Sequence, residues 1–279
     1  MEKLTPTNGS AVVTAQGVDF GEVAIPNGAK FPDVYSFPAM TEKNISSSLS
    51  YMFDNNAHIK EIILPADGSI IANMANIASN CPNLERIVFP TDLSNVKWIN
   101  NALYYAGTNN GIKKVVIPSL PNSMSVYSMF AHSGVEEVEM GDIGTAGTGH
   151  SGIYMFVNCK RLKKVTLGDI SKLNDVSWFF SGATELEHVS VKALPAVTFA
   201  DSGLHTCSKL TPQSYANILA ALPSVSGSQS IYFNSKFEEY AQSSSTYKAY
   251  DVVSGTELTL NLTDWVGQCT SKGWTFITK

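Results

Sequence analysis

The chain has 279 residues, with 19 basic and 24 acidic side chains and a formal net charge of -5. Hydrophobic residues make up 44% and charged residues 15%, against roughly 25% charged in an average soluble domain. That composition can bury a core and excludes wholesale disorder. A mildly acidic balance without a Lys/Arg block excludes nucleic acid or an anionic membrane as the main partner. No stretch approaches the roughly 18 apolar residues of a membrane-spanning helix, so no membrane insertion is expected.

In chain order, Met1 to Phe20 carries one lysine, an early Pro6 and Gly9, and no apolar run of about 7–15 residues, so it does not read as a signal peptide. The expected location is therefore conditional. It is cell surface or secreted if a signal was removed before Met1, and otherwise cytoplasmic or virion-associated. Phe20-Gly-Glu-Val-Ala-Ile-Pro26 then leads into Asn27-Gly28, a hairpin signal. Tyr35-Ser-Phe37-Pro38 echoes a strand end. Residues 1–48 are expected to form a β-rich N-terminal cap.

Six segments then share one pattern, apolar-x-x-apolar-x-apolar, closed in most copies by Pro or Gly. They start at Ile59, Leu84, Ile112, Val135, Leu162 and Leu186, as in Ile59-Lys-Glu-Ile-Ile-Leu-Pro65 and Leu162-Lys-Lys-Val-Thr-Leu-Gly168. A truncated seventh starts at Leu210. The spacings are 25, 28, 23, 27, 24 and 24 residues, within the period of about 20–29 of a leucine-rich repeat. Each repeat is a strand plus a return segment that cannot bury its own apolar face. Stacking the strands about 4.8 Å apart joins the apolar anchors into one core. The expected fold is an α/β-type repeat solenoid over residues 49–210 with one parallel β-sheet.

A second motif precedes the strands. Phe53, Phe156, Phe180 and Leu204 lie six residues before an anchor and Phe130 five before; Cys81, Cys159 and Cys207 lie three before. Phe156-Val-Asn-Cys159-Lys-Arg-Leu162 shows the whole pattern, although the Asn/Cys that follows the strand in standard leucine-rich repeats is absent. At these residues, over roughly 50 to 210, the chain resembles the BspA-like leucine-rich repeat family of bacterial surface antigens. The resemblance implies a recognition module, displayed on a bacterial surface or secreted, that binds host or microbial macromolecules through the solenoid face.

The cysteines recur at equivalent repeat positions, too far apart along the stack to bridge, and read as small buried hydrophobes. Cys269 stands alone, and neither a disulfide framework nor a zinc site is expected. After Leu210, Thr211 and Pro212 open a helix as N-cap and first-turn residue. Tyr215, Ile218, Leu219 and Leu222 follow at helical spacing. A Ser/Gly loop over 224–230, a strand at Ile231–Phe233, a strand at Leu258–Leu262, a short helix from Thr263 and a closing strand at Trp274–Ile277 complete an α+β C-terminal cap, residues 211–279.

The outward strand positions carry the clearest surface chemistry. The first runs Lys60, Glu85, Lys113, Glu136, Lys163, Glu187 and alternates strictly in sign. The second runs Glu61, Arg86, Lys114, Glu137, Lys164, His188, alternating except where Arg86 meets Lys114. Cross-strand attraction of this kind stabilises by about 0.2–1 kcal/mol per pair, at the low end if exposed. The ladder reads first as a register device and second as a mixed-charge docking face; a face that cancels itself excludes a strong polyanion site. The third position runs Ile63, Val88, Val116, then Glu139, Thr166, Ser190, so its first half offers an apolar patch. The candidate partner-binding residues are thus Ile63, Val88, Val116, Lys113, Lys114, Glu136, Glu137, Lys163 and Lys164.

Tyr51, Tyr154 and Trp178 lie eight residues before their anchors, with Tyr104 and Tyr127 nearby. Rings recurring at one repeat position read first as packing from coil to coil; binding of sugars or a protein is the other reading.

Enzyme motifs are not found. Gly147-Thr-Gly149-His-Ser-Gly152 matches G-x-G-x-x-G by letter, but the repeat pattern resumes at Tyr154 and no phosphate-holding helix is expected there. His58, His132, His150, His188 and His205 show no metal spacing. No catalytic residue, cofactor or metal is expected. Asn8, Asn44 and Asn261 stand in N-x-S/T sequons. The expected partner is a protein or glycan macromolecule. The alternative is a structural or assembly component, a prophage virion part or an intracellular scaffold; the tail through Lys272-Gly-Trp-Thr275 resembles tails of repeat proteins in phage-related contexts.

Overall fold

The computed structural model describes residues 34–36, 48–123, 125–144, 151–199 and 201–279. The Asn27-Gly28 hairpin and most of the expected N-terminal cap lie outside the described residues. Seven parallel strands stack in chain order: β1 (Val34–Ser36), β2 (Glu61–Ile63), β3 (Arg86–Val88), β4 (Val115–Ile117), β5 (Glu137–Met140), β6 (Lys164–Asp169) and β7 (His188–Ala193). The register is one repeat per rung, with Ile62↔Ile87, Val138↔Val165 and Val165↔Val189 facing each other. Tyr35 faces Ile62, so the strand echo at Tyr35 is one more parallel rung.

All three apolar positions of each repeat point inward. Ile59, Ile62 and Leu64 are buried, as are Leu162, Val165 and Leu167, and so on through every copy. Behind the strands Phe130, Phe156 and Phe180 stack in register, with ring centroids 5.1 and 5.5 Å apart and planes within 10° and 6°. Phe53 and Leu204 are buried as well. Each such side chain contributes roughly 1.5–3 kcal/mol on leaving water. The repeated cysteines tie this spine together. Cys81 and Cys159 each point Sγ at a carbonyl of the preceding coil, on Phe53 and Phe130, at 2.9 Å. Cys81, Cys159 and Cys207 are free thiols whose pKa burial pushes up to about 12.

One feature departs from the expected single sheet. The strands form two sheets, β1-β2-β3 and β4-β5-β6-β7. The seam falls in the longest repeat, 28 residues from Leu84 to Ile112, where Gly107 and Gly111 take positive φ in a loop that the neighbouring repeats lack. It is also where Arg86 and Lys114 would meet as like charges.

At the C-terminal end α1 (Pro212–Ala220) replaces the next strand, with Thr211 as N-cap accepting from the Ser214 N–H. The helix covers the open edge of β7 with side chains. Ser214 Oγ donates to Glu187 O at 2.9 Å and accepts from Val189 N–H at 3.0 Å, and Asn217 Nδ2 donates to Val189 O at 3.0 Å. Beyond it come β8 (Gln229–Phe233), α2 (Lys236–Ala241), β9 (Thr246–Asp251), β10 (Thr256–Asn261), α3 (Leu262–Ser271) and β11 (Trp274–Thr278). β8 pairs parallel with β11, and β9 pairs antiparallel with β10. Neither α2 nor β9 carries a clear sequence signal. α2 has six residues and buries only Phe237, too little for a period to show; β9 buries only Ala249 and Asp251. The sequon residue Asn261 is the N-cap of α3 and accepts from Asp264 N–H at 2.8 Å. Lys272 and Asp251 form a buried ion pair at 2.9 Å. Burial alone would raise the Asp251 pKa, but the hydrogen bonds from Lys272 and Val253 N–H outweigh it and hold the carboxyl below its usual range.

Candidate interaction site

On the strand face the charge ladder forms, with exceptions that map the surface. Glu136 sits between Lys113 and Lys163, hydrogen-bonded to the first and 3.4 Å from the second. The Lys113 hydrogen bond holds its carboxyl below the usual range against the opposing effect of burial, with Lys163 adding to the downward shift. Glu137 faces Lys164 in register. Arg86 and Lys114 turn away from each other. Arg86 pairs back with Glu61, and Lys114 pairs forward with Glu139 at 2.7 Å. Glu85 accepts from Asn110 Nδ2 of the seam loop at 2.9 Å.

The three β-branched residues do not form one continuous ladder. Ile63 and Val88 face each other and are half-buried, whereas Val116 lies beyond the seam opposite Glu139 and is 50% exposed. The strand face therefore has a small apolar area astride the seam, flanked by the Arg86–Glu61 and Lys114–Glu139 pairs.

The opposite face carries little periodic sequence signal. The return segment of each coil is a run of tight turns with two left-handed residues four apart. The pairs are Tyr51/Asn55, Asn76/Asn80, Asn101/Tyr105, Ser128/His132, Tyr154/Asn158 and Trp178/Gly182, all at φ between 50° and 75°. From these positions backbone N–H groups donate to the next coil, for example Asn76 to Asn100 O, Ser128 to Ile153 O and Tyr154 to Ser177 O, each at 3.0 Å. The recurrence of Asn, and of Gly at the last position, is the signal that marks them, because the left-handed region penalises most side chains and Asn and Gly least.

Side chains from these positions stand out of the coil and frame a groove of about 620 Å³. Tyr104, Tyr127, Tyr154 and His132 form its aromatic part; Asp54, Asn76, Asn101 and Asn158 form much of its polar part. His132 stacks on Tyr105 at 4.5 Å and 6°. Burial, with Lys160 nearby, holds its pKa below the usual histidine value, so the imidazole is neutral at pH 7. Tyr127 meets Tyr154 at 5.8 Å and Tyr154 meets Trp178 at 6.3 Å. The rings do contact from coil to coil, but Tyr51 is 62% and Trp178 50% exposed, so these rings are surface and not core. Tyr104 and Tyr127 are not members of the left-handed row that holds Tyr51, Tyr154 and Trp178.

Residues 145–150, most of the glycine-rich loop, lie outside the described residues; Ser151 and Gly152 already belong to the return ladder. Among the described residues no group of three or more His, Cys, Asp or Glu comes together in a way that could hold a metal ion. No described helix is long and apolar enough to cross a membrane.

A family model described as the BspA type leucine rich repeat region matches residues 36–136 in six copies. No curated protein and no solved structure matches the chain. The match ends at Glu136, yet β5, β6 and β7 continue the same parallel one-rung-per-repeat stack as far as Ala193. Over residues 36–136 the chain is similar to the BspA-type leucine-rich repeat family, and the later rungs repeat the same architecture.

Proposed function

We propose that the chain is a non-enzymatic recognition module acting at the surface of a bacterial cell or secreted from it, and that it docks a host or microbial protein on the strand face around the seam. Leucine-rich repeat stacks are generally interaction modules, and the observation that carries this reading is the exposed Val116 across the seam from the half-buried Ile63–Val88 pair. An apolar centre rimmed by paired charges is the layout of a protein interface. The rim is already neutralised within the chain, so it selects partners by shape and local polarity and not by net charge. Lys113, Glu136, Glu137, Lys163 and Lys164 extend that rim along β5 and β6.

The location is tested by protease shaving of intact source cells, with released peptides identified by mass spectrometry. Release from intact cells supports the surface reading. Peptides found only after lysis would remove it and favour the assembly reading, a virion part or an intracellular scaffold. A photocrosslinker at Val116 should then join the partner, while the same group at exposed Gln268 on α3 should not. Equal labelling from both positions would overturn the strand-face assignment.

A further inference from the structure

The return face presents ring faces, amides and little charge, a combination absent from the strand face. We propose that its groove, extended by Trp178 against the lining residue Tyr154, is a second binding site, specific for a neutral oligosaccharide laid along the stack across Tyr127, Tyr154 and Trp178.

The rings set the geometry. Their centroids step by 5.8 and 6.3 Å, with Tyr127 edge-on to Tyr154 at 81° and Trp178 tilted from it by 39°, so successive sugars along the stack meet ring faces and ring edges in turn. Tyr127 is 38% and Trp178 50% exposed. Tyr127 and Trp178 keep part of their ring surface in water, where a sugar C–H face can cover it, while Tyr154 between them is half-buried.

The polar groups set the chemistry. The side-chain amides of Asn76, Asn101 and Asn158 have no hydrogen-bond partner among the described residues. An amide offers donors and an acceptor side by side, which suits neighbouring hydroxyls on one sugar. Asp54 Oδ1 is shielded from solvent and likewise without a partner, while its Oδ2 accepts from Asn55.

Charge and backbone exclude the competitors. Asp54 is the one acidic residue lining the groove, and no Lys or Arg lines it. A phosphorylated or sulfated polymer would find no cation in the lining, Lys160 standing near His132 but outside it. An extended peptide adds to free sheet edges or fills deep apolar pockets, whereas the left-handed backbone under the groove already donates its N–H groups to the next coil.

The test is titration of the full chain with neutral hexasaccharides (cellohexaose, maltohexaose, chitohexaose, mannohexaose and xylohexaose) by calorimetry and tryptophan fluorescence. At least one should bind saturably, with a fluorescence change and an affinity indifferent to salt. Tyr154→Asn and Trp178→Asn should each weaken it about tenfold or more, the scale of one lost aromatic contact. Asn is tolerated at left-handed φ and already occupies the same row at Asn76 and Asn101, so both variants keep the fold; circular dichroism checks this. Val116→Asp on the strand face should leave sugar binding unchanged, which separates this site from the protein-docking surface. Failure of every hexasaccharide to bind, binding that both groove variants leave intact, or binding of heparin hexasaccharide or peptides alone would each overturn the proposal.

Discussion

On the strand side, neighbouring coils pair through strands of three to six residues that carry opposed charges, and the pairing stops between β3 and β4. On the return side they pair through left-handed turns with few charges, and bridges run unbroken past the seam, from Ser48 through Asn73, Trp98, Ser125 and Ser151 to Asp175. The two sides also end differently. The strand side stops on α1, whose side chains satisfy β7, while the return side continues into β8 through the bridge from Phe199 to Ile231. Continuity of the solenoid thus rests on the return ladder, and the strand side is free to open a seam and expose Val116. The surface that tolerates a break is the one that can vary to meet a partner.

The largest expected effect comes from removing both endings at once. Deleting residues 211–279 strips α1 from β7 and β8 from Phe199, leaving backbone groups and apolar anchors of the last coil bare. Aggregation on expression is the expected outcome, because an uncapped repeat end is an open sheet edge. A monomeric truncation that unfolds cooperatively would show that the C-terminal elements are an appendage. Ser214→Ala with Asn217→Ala removes only the strand-side ending. It leaves Val189 N–H and C=O without their side-chain partners, at roughly 1–3 kcal/mol for each unmatched group. Thermal unfolding of the double variant reads that cost separately.

The return ladder is probed at Asn80, at φ 52° with its N–H donating to Tyr104 O at 2.7 Å. Asn80→Val forces a β-branched residue into the left-handed region and should cost about 1–2 kcal/mol in urea unfolding. Asn80→Gly should cost little, since glycine adopts that φ freely. Equal losses from both would mean that the amide, and not the backbone conformation, matters there.

This contrast also explains what was legible. The strand side announces itself, since each outward or inward position recurs with a fixed chemical character and Ile59, Leu84 and their copies set the register. Thr211 and Pro212 marked α1 because capping chemistry is local. The return side is encoded by backbone angles at isolated residues. Asn76, Asn80, Asn101 and Asn158 carry the signal, but Tyr105, Ser128, His132 and Trp178 occupy equivalent places and blur it. The uneven repeat lengths shift the frame further, so Tyr104 and Tyr127, although eight residues before Ile112 and Val135, do not join the left-handed row of Tyr51, Tyr154 and Trp178. The groove depends on turns from several coils converging, which no single segment records.

The smallest expected effect tests whether the charge ladder contributes at all. Glu136 bonds Lys113 and lies 3.4 Å from Lys163, so Lys113→Glu should destabilise modestly. Adding Glu136→Lys restores attraction to position 113 but places a lysine beside Lys163. Recovery in the double-mutant cycle is therefore partial, with a coupling of about 0.2–1 kcal/mol at pH 7 and low salt. The folded-state pKa of Glu136 is depressed, so its contribution is fully present above the unfolded value of about 4.3. It is lost as pH falls through the folded value. The coupling should shrink below about pH 4 and in high salt. A coupling that persists in acid would have to come from packing of the side-chain stems, and the alternation of sign along the sheet would then serve solvation and not register.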